Sequence, residues 1–186
     1  TADVYGMDRS ETLIARFFQE VPEARERVYV ATKLGRFSPP GWPENFTRAA
    51  VRQHTEASLK RLDLEVLDLT QLHCIPPDVL RRGEMLGWLA ELQNEGKIRG
   101  YGVSVESMDE ALFCLERGGV SALQIIFNIF RQKPIQVLFA AAQARRVGLI
   151  VRMTGDSADA ARAMGYNVNA VRLLSTMAGG FLAGVA

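Results

Sequence analysis

The chain has 186 residues, of which 48 % are apolar and 23 % are charged, and its formal net charge is +1 at pH 7. These values are typical of one globular domain and exclude disordered and fibrous classes. Lysine and arginine form no basic stripe and no apolar run approaches about 18 residues, so we expect a cytoplasmic protein without nucleic-acid or membrane partners.

The first predicted element is a helix, SETLIARFFQEV, at residues 10–21. Ser10 or Asp8 is expected to accept hydrogen bonds from the free N–H groups of its first turn. Its spacing of about 3.6 residues predicts one buried apolar face. That face consists of Leu13, Ile14, Phe17, Phe18 and Val21.

A β-branched strand, residues 28–33, comes next and is followed by a helix that Asn45 is expected to cap. The buried face of this helix is predicted from a repeat of four, four and three residues at Val51, Thr55, Leu59 and Leu62. His54, between two polar neighbours, is predicted to be exposed. The strand LEVLDLTQLH follows at residues 64–73 and ends before two prolines.

The same alternation of helices and strands continues through the second half of the chain. Ser107 and Glu110 form a predicted capping box at the start of one of these helices. Cys74 and Cys114 lie in apolar segments, which predicts buried thiols in a reducing compartment. The remaining predicted elements are helices at 85–96, 107–119 and 135–147 and strands at 99–104, 122–128 and 148–153.

Strict alternation predicts an α/β fold with parallel strands joined by right-handed crossovers. An open doubly wound sheet and a closed (β/α)8 barrel both fit this pattern. No G-x-G-x-x-G or Walker A loop opens any helix, which weakens the nucleotide-binding open sheets. A barrel places its chemistry at the carboxyl ends of the strands. Polar residues occupy those positions here, namely Tyr5, Lys33, His73, Ser104 and Gln124 with Asn128.

Each of these side chains alone has an ordinary structural explanation, but together they suit a proton-donor site. The Tyr5 phenol is a poor acid near neutrality, and an adjacent Lys33 ammonium favours the phenolate. A neutral His73 imidazole orients or polarises an oxygen. This trio suits protonation of a carbonyl oxygen while the carbon accepts hydride. Because no side chain donates hydride, a nicotinamide cofactor is implied.

Five segments in order over residues 1–153 resemble the aldo-keto reductases, a family of (β/α)8 barrels that use NADP(H) without a Rossmann fold. The segments are TADVYG, VYVATKLG, LEVLDLTQLH, GKIRGYGVS and ALQIIFN. The resemblance implies that Tyr5, Lys33 and His73 are catalytic. It also implies that Ser104 and Gln124 bind the nicotinamide carboxamide.

The chain departs from the family pattern in several places. The family aspartate that pairs with the lysine precedes Thr1 and is absent, while Asp3 occupies a variable position. Val105 stands where the family usually has asparagine. Residues 154–175 intervene before MAGGFLAG and are predicted to hold a helix at 157–164 and a strand at 170–174. They are either an insertion or the sign of a composite sequence.

The resemblance implies an incomplete single-domain barrel of five to six strands, without the family's first and last strands. Two open sheet edges predict marginal stability or self-association. The favoured function is reduction of a small carbonyl compound, reversibly oxidation of an alcohol. A nonenzymatic NADP(H)-binding regulatory subunit and an inactive fragment are the alternatives. The loop at residues 34–45, with Phe37 and Trp42, lines a substrate pocket or covers the barrel mouth.

Overall fold

The computed structural model describes residues 1–128 and 130–152. Within them, five parallel strands form one sheet in chain order, each paired with the next along the sequence. This order is the one that successive right-handed β-α-β crossovers generate. The strands are β1 (Ala31–Leu34), β2 (Leu67–His73), β3 (Ile98–Ser104), β4 (Ala122–Ile126) and β5 (Gly148–Arg152).

Helices connect the strands and cover one face of the sheet. A 3-10 helix, Pro22–Glu26, lies between the first helix and β1. The helices are α1 (Arg9–Glu20), α2 (Arg48–Leu62), α3 (Pro77–Arg82), α4 (Glu84–Asn94), α5 (Met108–Arg117), α6 (Lys133–Val137) and α7 (Phe139–Ala144).

The two faces of the sheet differ in chemistry because successive residues of a strand point to opposite sides. The face toward the helices is apolar, and Leu34, Leu72, Val103 and Leu123 are fully buried in the main hydrophobic core. The opposite face is polar along β1 to β4. Its buried side chains include Lys33, Gln71, His73, Ser104 and Gln124. The fold therefore presents one line of polar groups on a rigid support.

Residues 1–3 run beside the free edge of β1. The Thr1 nitrogen donates to the Ala31 carbonyl at 2.7 Å, and the Asp3 N–H donates to the Lys33 carbonyl at 2.9 Å. The chain then turns sharply, and the Ser10 N–H donates to the Tyr5 carbonyl at 3.1 Å. This turn holds Tyr5 next to the carboxyl end of β1.

The five predicted strands are confirmed, and most are shorter than the sequence suggested. The first begins at Ala31 rather than at residue 28, since Val28 and Tyr29 are exposed and make no ladder with β2. The second begins at Leu67. Both N-terminal extensions have strand propensity but lie where the sheet has no partner for them, and pairing rather than propensity decides the boundary.

The predicted apolar face of α1 is wrong at two positions. Leu13 is 52 % exposed and Phe17 is 45 % exposed, whereas Phe18 is buried as expected. The buried stripe instead includes Glu11 and Ala15. The expected side-chain cap is also absent, because neither candidate side chain accepts a hydrogen bond from the first turn.

Two predictions about the next helix are also wrong. Thr47, not Asn45, caps α2, and its hydroxyl accepts from the Ala50 N–H at 3.2 Å. The Asn45 side chain instead donates to the Phe37 carbonyl. His54, predicted to be exposed, is buried. The predicted buried face of α2 is largely buried as expected, and it consists of Val51, Thr55, Leu59 and Leu62.

Several finer predictions have clear outcomes. The capping box of Ser107 and Glu110 at the start of α5 is confirmed in both directions. The long helix predicted at residues 135–147 is instead two short helices, α6 and α7. Cys74 and Cys114 are free and buried as predicted. Burial raises the pKa of the Cys114 thiol to about 12, so this thiol stays protonated and is a poor nucleophile.

The intervening segment at residues 154–175, with its predicted helix and strand, lies outside the described residues. Within residues 1–128 and 130–152, no helix combines the length and the apolar character that crossing a bilayer requires.

Candidate active site

Four of the five predicted site residues lie at or near the carboxyl ends of adjacent strands on the polar face. His73 ends β2, Ser104 ends β3, and the two are paired in register. Ser104 in turn pairs with Gln124 of β4. Lys33, the penultimate residue of β1, pairs with Gln71, two residues before His73. All are buried, so each side chain is held by its strand and its neighbours.

Tyr5, Lys33 and His73 are brought together at this end of the sheet. The Lys33 ammonium nitrogen lies 5.0 Å from the centroid of the Tyr5 ring. The Tyr5 and His73 rings meet edge to face, with 5.7 Å between centroids and an interplanar angle of 86°. Tyr5 is 39 % exposed, whereas the other two are buried. The phenol therefore forms the accessible side of a compact group of three polar side chains.

The Lys33 side chain is also fixed from the edge of the sheet. Its amine donates to the Thr1 carbonyl oxygen at 2.6 Å. Asp3 is not positioned to act as the carboxylate partner of this lysine. Because the Asp3 N–H bonds to the Lys33 carbonyl, side-chain alternation puts Asp3 on the helix side with Thr32 and Leu34. Lys33 points to the opposite face.

Asp3 instead pairs with His54 of α2 in a buried contact. The Asp3 Oδ2 atom lies 2.9 Å from the His54 Nδ1 atom, while Oδ1 has no hydrogen-bond partner among the described residues. This pair links the segment preceding Tyr5 to the helix that follows β1. It also explains why His54 is buried, since the imidazole satisfies one oxygen of a carboxylate that is fully removed from solvent.

Replacing His54 with leucine should destabilise the fold by about 1–3 kcal/mol, because it leaves the Asp3 carboxylate buried without its side-chain partner. Urea unfolding followed by circular dichroism measures this change. Gln53→Leu is the matched control, since Gln53 is the exposed neighbour on the same helix and should change stability by less than about 0.5 kcal/mol. Equal effects of the two substitutions would contradict a stabilising Asp3–His54 contact.

Ser104 and Gln124 lie side by side and carry hydrogen-bonding groups. The Ser104 hydroxyl has one polar neighbour, the Cys74 thiol at 3.8 Å. The Gln124 amide is buried and pairs in register with Ser104. Gln71, which the sequence interpretation missed, adds a buried amide whose Nε2 atom has no hydrogen-bond partner among the described residues. A hydroxyl and two amides on one face fit a flat polar ligand such as a carboxamide.

Val105 follows Ser104 and is buried, with its N–H donating to the Gln124 carbonyl at 2.9 Å. Its apolar side chain offers no hydrogen bond to a ligand. The position therefore contributes backbone pairing between β3 and β4, and the polar contacts of this part of the site come from its neighbours.

The loop of residues 35–46, called the rim loop here, is tied to the end of β2. The Trp42 Nε1–H donates to the Cys74 carbonyl at 2.8 Å, and the Arg36 Nε–H donates to the His73 carbonyl at 3.2 Å. The loop also needs Gly35, which has φ 110° and a Cβ position that would lie 2.5 Å from the Phe46 ring. Arg36 was not singled out from the sequence, because its partner is a distant backbone oxygen.

A second buried network, also missed from the sequence, fixes the turn that carries Tyr5. Glu11 on α1 is fully buried and accepts from Thr32 of β1 at 2.5 Å and from Arg61 of α2 at 2.7 Å. The Ser58 hydroxyl donates to the same carboxylate at 3.3 Å. Thr32 directly precedes Lys33, so this network joins the tyrosine turn to the lysine strand.

A parallel sheet with its polar groups at the carboxyl ends of the strands defines the α/β class of protein, which includes the β/α barrels. The sequence model described as the aldo/keto reductase family matches residues 1–155. The chain belongs to the aldo/keto reductase family. A second model, described as a branched-chain amino acid transport system permease component, matches residues 135–186 and overlaps the first over residues 135–155.

Two curated relatives illustrate the similarity. The "Probable aldo-keto reductase 1" of Glycine max is 29 % identical over 153 residues, covering 81 % of this chain and 43 % of the relative. The "NADH-specific methylglyoxal reductase" of Escherichia coli is 29 % identical over 142 residues, covering 69 % of this chain and 43 % of the relative. The chain thus spans less than half the length of these relatives.

Solved structures agree on the fold. Aldo-keto reductase AKR11C1 from Bacillus halodurans, in its holo form, matches with a TM-score of 0.72 and 28 % identity, over 82 % of this chain and 50 % of that one. An aldo/keto reductase from Klebsiella pneumoniae in complex with NADP and acetate matches with a TM-score of 0.68 and 21 % identity, over 90 % and 61 % of the two chains. The five-stranded sheet is therefore part of a (β/α)8 barrel, and the predicted fold class is confirmed.

Proposed function

We propose that this chain carries the catalytic centre of an NADP(H)-dependent oxidoreductase that reduces an aldehyde or ketone to an alcohol. The observation that carries the proposal is the grouping of Tyr5, Lys33 and His73. The lysine amine lies 5.0 Å from the tyrosine ring centroid, and the tyrosine and histidine rings are 5.7 Å apart at the carboxyl ends of neighbouring strands. Family membership supports the same chemistry.

Each residue of the trio has one role. Tyr5, the accessible member, donates its hydroxyl proton to the carbonyl oxygen of the substrate. The Lys33 ammonium stabilises the phenolate that remains, and its hydrogen bond to the Thr1 carbonyl holds it beside the ring. His73 orients the carbonyl oxygen through a ring nitrogen. In the reverse direction the phenolate accepts the proton of an alcohol.

The cofactor is assigned from the hydrogen-bonding groups on the same face. When bound, the nicotinamide supplies or accepts the hydride. Ser104 and Gln124 would hold its carboxamide, since they are buried, adjacent in register and carry a hydroxyl and an amide. NADP in the Klebsiella pneumoniae structure supports this choice, while the name of the Escherichia coli relative specifies NADH, so both cofactors need comparison.

Cofactor binding and carbonyl reduction should both be measured on the full-length protein. Fluorescence titration with NADPH and NADH gives the two dissociation constants, and consumption of the reduced cofactor with methylglyoxal as a first substrate gives the rate. We expect binding and turnover, and Ser104→Ala should weaken cofactor binding by roughly 5- to 10-fold through one lost hydrogen bond. Binding without reduction would contradict the enzymatic proposal and favour a regulatory subunit.

A further inference from the structure

Arg36 on the rim loop is a positive charge held against the backbone of the histidine at the candidate site. Its Nε–H donates to the His73 carbonyl at 3.2 Å. Its guanidinium carbon lies 5.4 Å from the centroid of the Trp42 ring. Trp42 is itself anchored by the bond from its Nε1–H to the Cys74 carbonyl at 2.8 Å. Two contacts on two elements therefore fix the position of this cation.

This guanidinium has no acidic partner among the described residues. Several other arginines of the chain are neutralised, for example Arg48 by Glu91 at 2.7 Å and Arg61 by Glu11 at 2.7 Å. Arg36 is half-buried, and its Nη1 and Nη2 atoms donate to no group in residues 1–128 and 130–152. The side chain therefore presents a positive charge and two unused NH2 groups.

A guanidinium with two free NH2 groups is the side chain best suited to an anionic oxygen group, which it binds in a bidentate manner. Trp42, 47 % exposed, flanks the cation with an apolar surface that suits the carbon chain of a small molecule. Because Arg36 bonds to the backbone of His73, the anionic group would sit a short distance from the carbonyl that His73 orients.

We propose that Arg36 is a specificity-determining residue that selects carbonyl substrates bearing an anionic group, a carboxylate or a phosphate. This inference rests on the proposed reductase function of the same site. It assigns Arg36 to substrate binding and not to the proton transfer itself. Trp42 serves as the wall against which the guanidinium and the substrate chain pack.

The kinetic test compares charged and neutral substrates that share the same carbonyl-bearing carbon chain, in the full-length protein. The carboxylate arm uses 4-oxobutanoate and its methyl ester, and the phosphate arm uses glyceraldehyde 3-phosphate and glyceraldehyde. The wild type should prefer the charged member of at least one arm. Arg36→Gln should then lower kcat/KM for that substrate by about 10- to 100-fold, mainly through KM, and leave its neutral partner within about 2-fold. Arg36→Lys should retain part of the preference, since lysine keeps the positive charge but lacks the planar pair of donors that binds an anion in a bidentate manner.

Arg117→Gln is the matched control, because Arg117 also lies over an aromatic ring, 5.3 Å from Phe113, but on the last turn of α5. It should change none of these ratios. An equal loss on charged and neutral substrates in Arg36→Gln would overturn the proposal. A weaker affinity for NADPH with unchanged substrate ratios would also overturn it, by assigning Arg36 to the cofactor.

A binding experiment separates this proposal from failure of the reductase function. Trp88→Phe leaves Trp42 as the single tryptophan among the 186 residues. Tryptophan fluorescence of this variant then reports on the surroundings of Trp42. Titration with 4-hydroxybutyrate or glycerol 3-phosphate should change Trp42 fluorescence, and Arg36→Gln should abolish the change. The neutral 1,4-butanediol should have no effect. An identical response to charged and neutral compounds would refute anion selection, whatever the outcome of the turnover assays.

Discussion

Replacing Tyr5 with phenylalanine should lower kcat for carbonyl reduction by about 10²- to 10⁴-fold, the range that a positioned general acid contributes. The substitution removes one oxygen and keeps the ring. The edge-to-face contact with His73 and the contact with the Lys33 amine are thus both retained. The loss would therefore report on the proton and not on packing. Steady-state turnover with saturating reduced cofactor measures it.

Cofactor affinity and fold provide the controls for this substitution. Nicotinamide binding, measured by fluorescence titration, should stay within about 2-fold of the wild type, because Tyr5 shares no strand with Ser104 or Gln124. Tyr29→Phe is the matched variant, since Tyr29 is exposed before β1 and its hydroxyl lies outside the site. Undiminished turnover in Tyr5→Phe would rule out the phenol as proton donor.

The sequence predicts the strands and the place where their polar ends meet, because both depend on local patterns and one topological rule. Each strand is an apolar run that stops at a polar residue, as at His73 and Ser104. Parallel strands joined by right-handed crossovers put all such ends at one edge. The convergence of Lys33 and His73 near Tyr5 follows from that rule together with the family resemblance.

Burial of charged and polar side chains is what the sequence did not predict. His54 has polar neighbours in the chain, and its partner Asp3 lies 51 residues away. Glu11 interrupts the apolar pattern of α1, yet it is fully buried because Thr32, Ser58 and Arg61 converge on it from two other elements. Periodicity carries no information about such distant partners, which is why Leu13 and Phe17 were wrongly assigned to the core.

The predicted cap of α2 is wrong for a related reason. A propensity pattern does not distinguish a cap from a residue that bonds elsewhere, and Asn45 bonds to the Phe37 carbonyl within the rim loop. The sequence likewise did not predict a role for Arg36, since its partner is a backbone carbonyl of β2. The features that shape the candidate substrate side of the site therefore come from contacts between elements, not from motifs.

The buried Glu11 network should be the largest single contribution to stability near the site. Glu11→Ala should destabilise the protein by about 3–5 kcal/mol, because it leaves the Arg61 guanidinium, 18 % exposed, without its counter-ion in the interior. It also removes the acceptor of the Thr32 and Ser58 hydroxyls. Urea unfolding measures the loss. Glu20→Ala, which removes an exposed ion pair with Arg16 on the same helix, should cost less than about 1 kcal/mol.

A double-mutant cycle separates the ion pair from the volume lost with each side chain. Arg61→Ala alone should also destabilise strongly, since it leaves a fully buried carboxylate with only two hydroxyl donors. The double variant should be less destabilised than the sum of the two, because neither charge is then left alone in the interior. Additive losses would show that the two charges act independently. They would also contradict the proposed role of this network in linking the Tyr5 turn to the Lys33 strand.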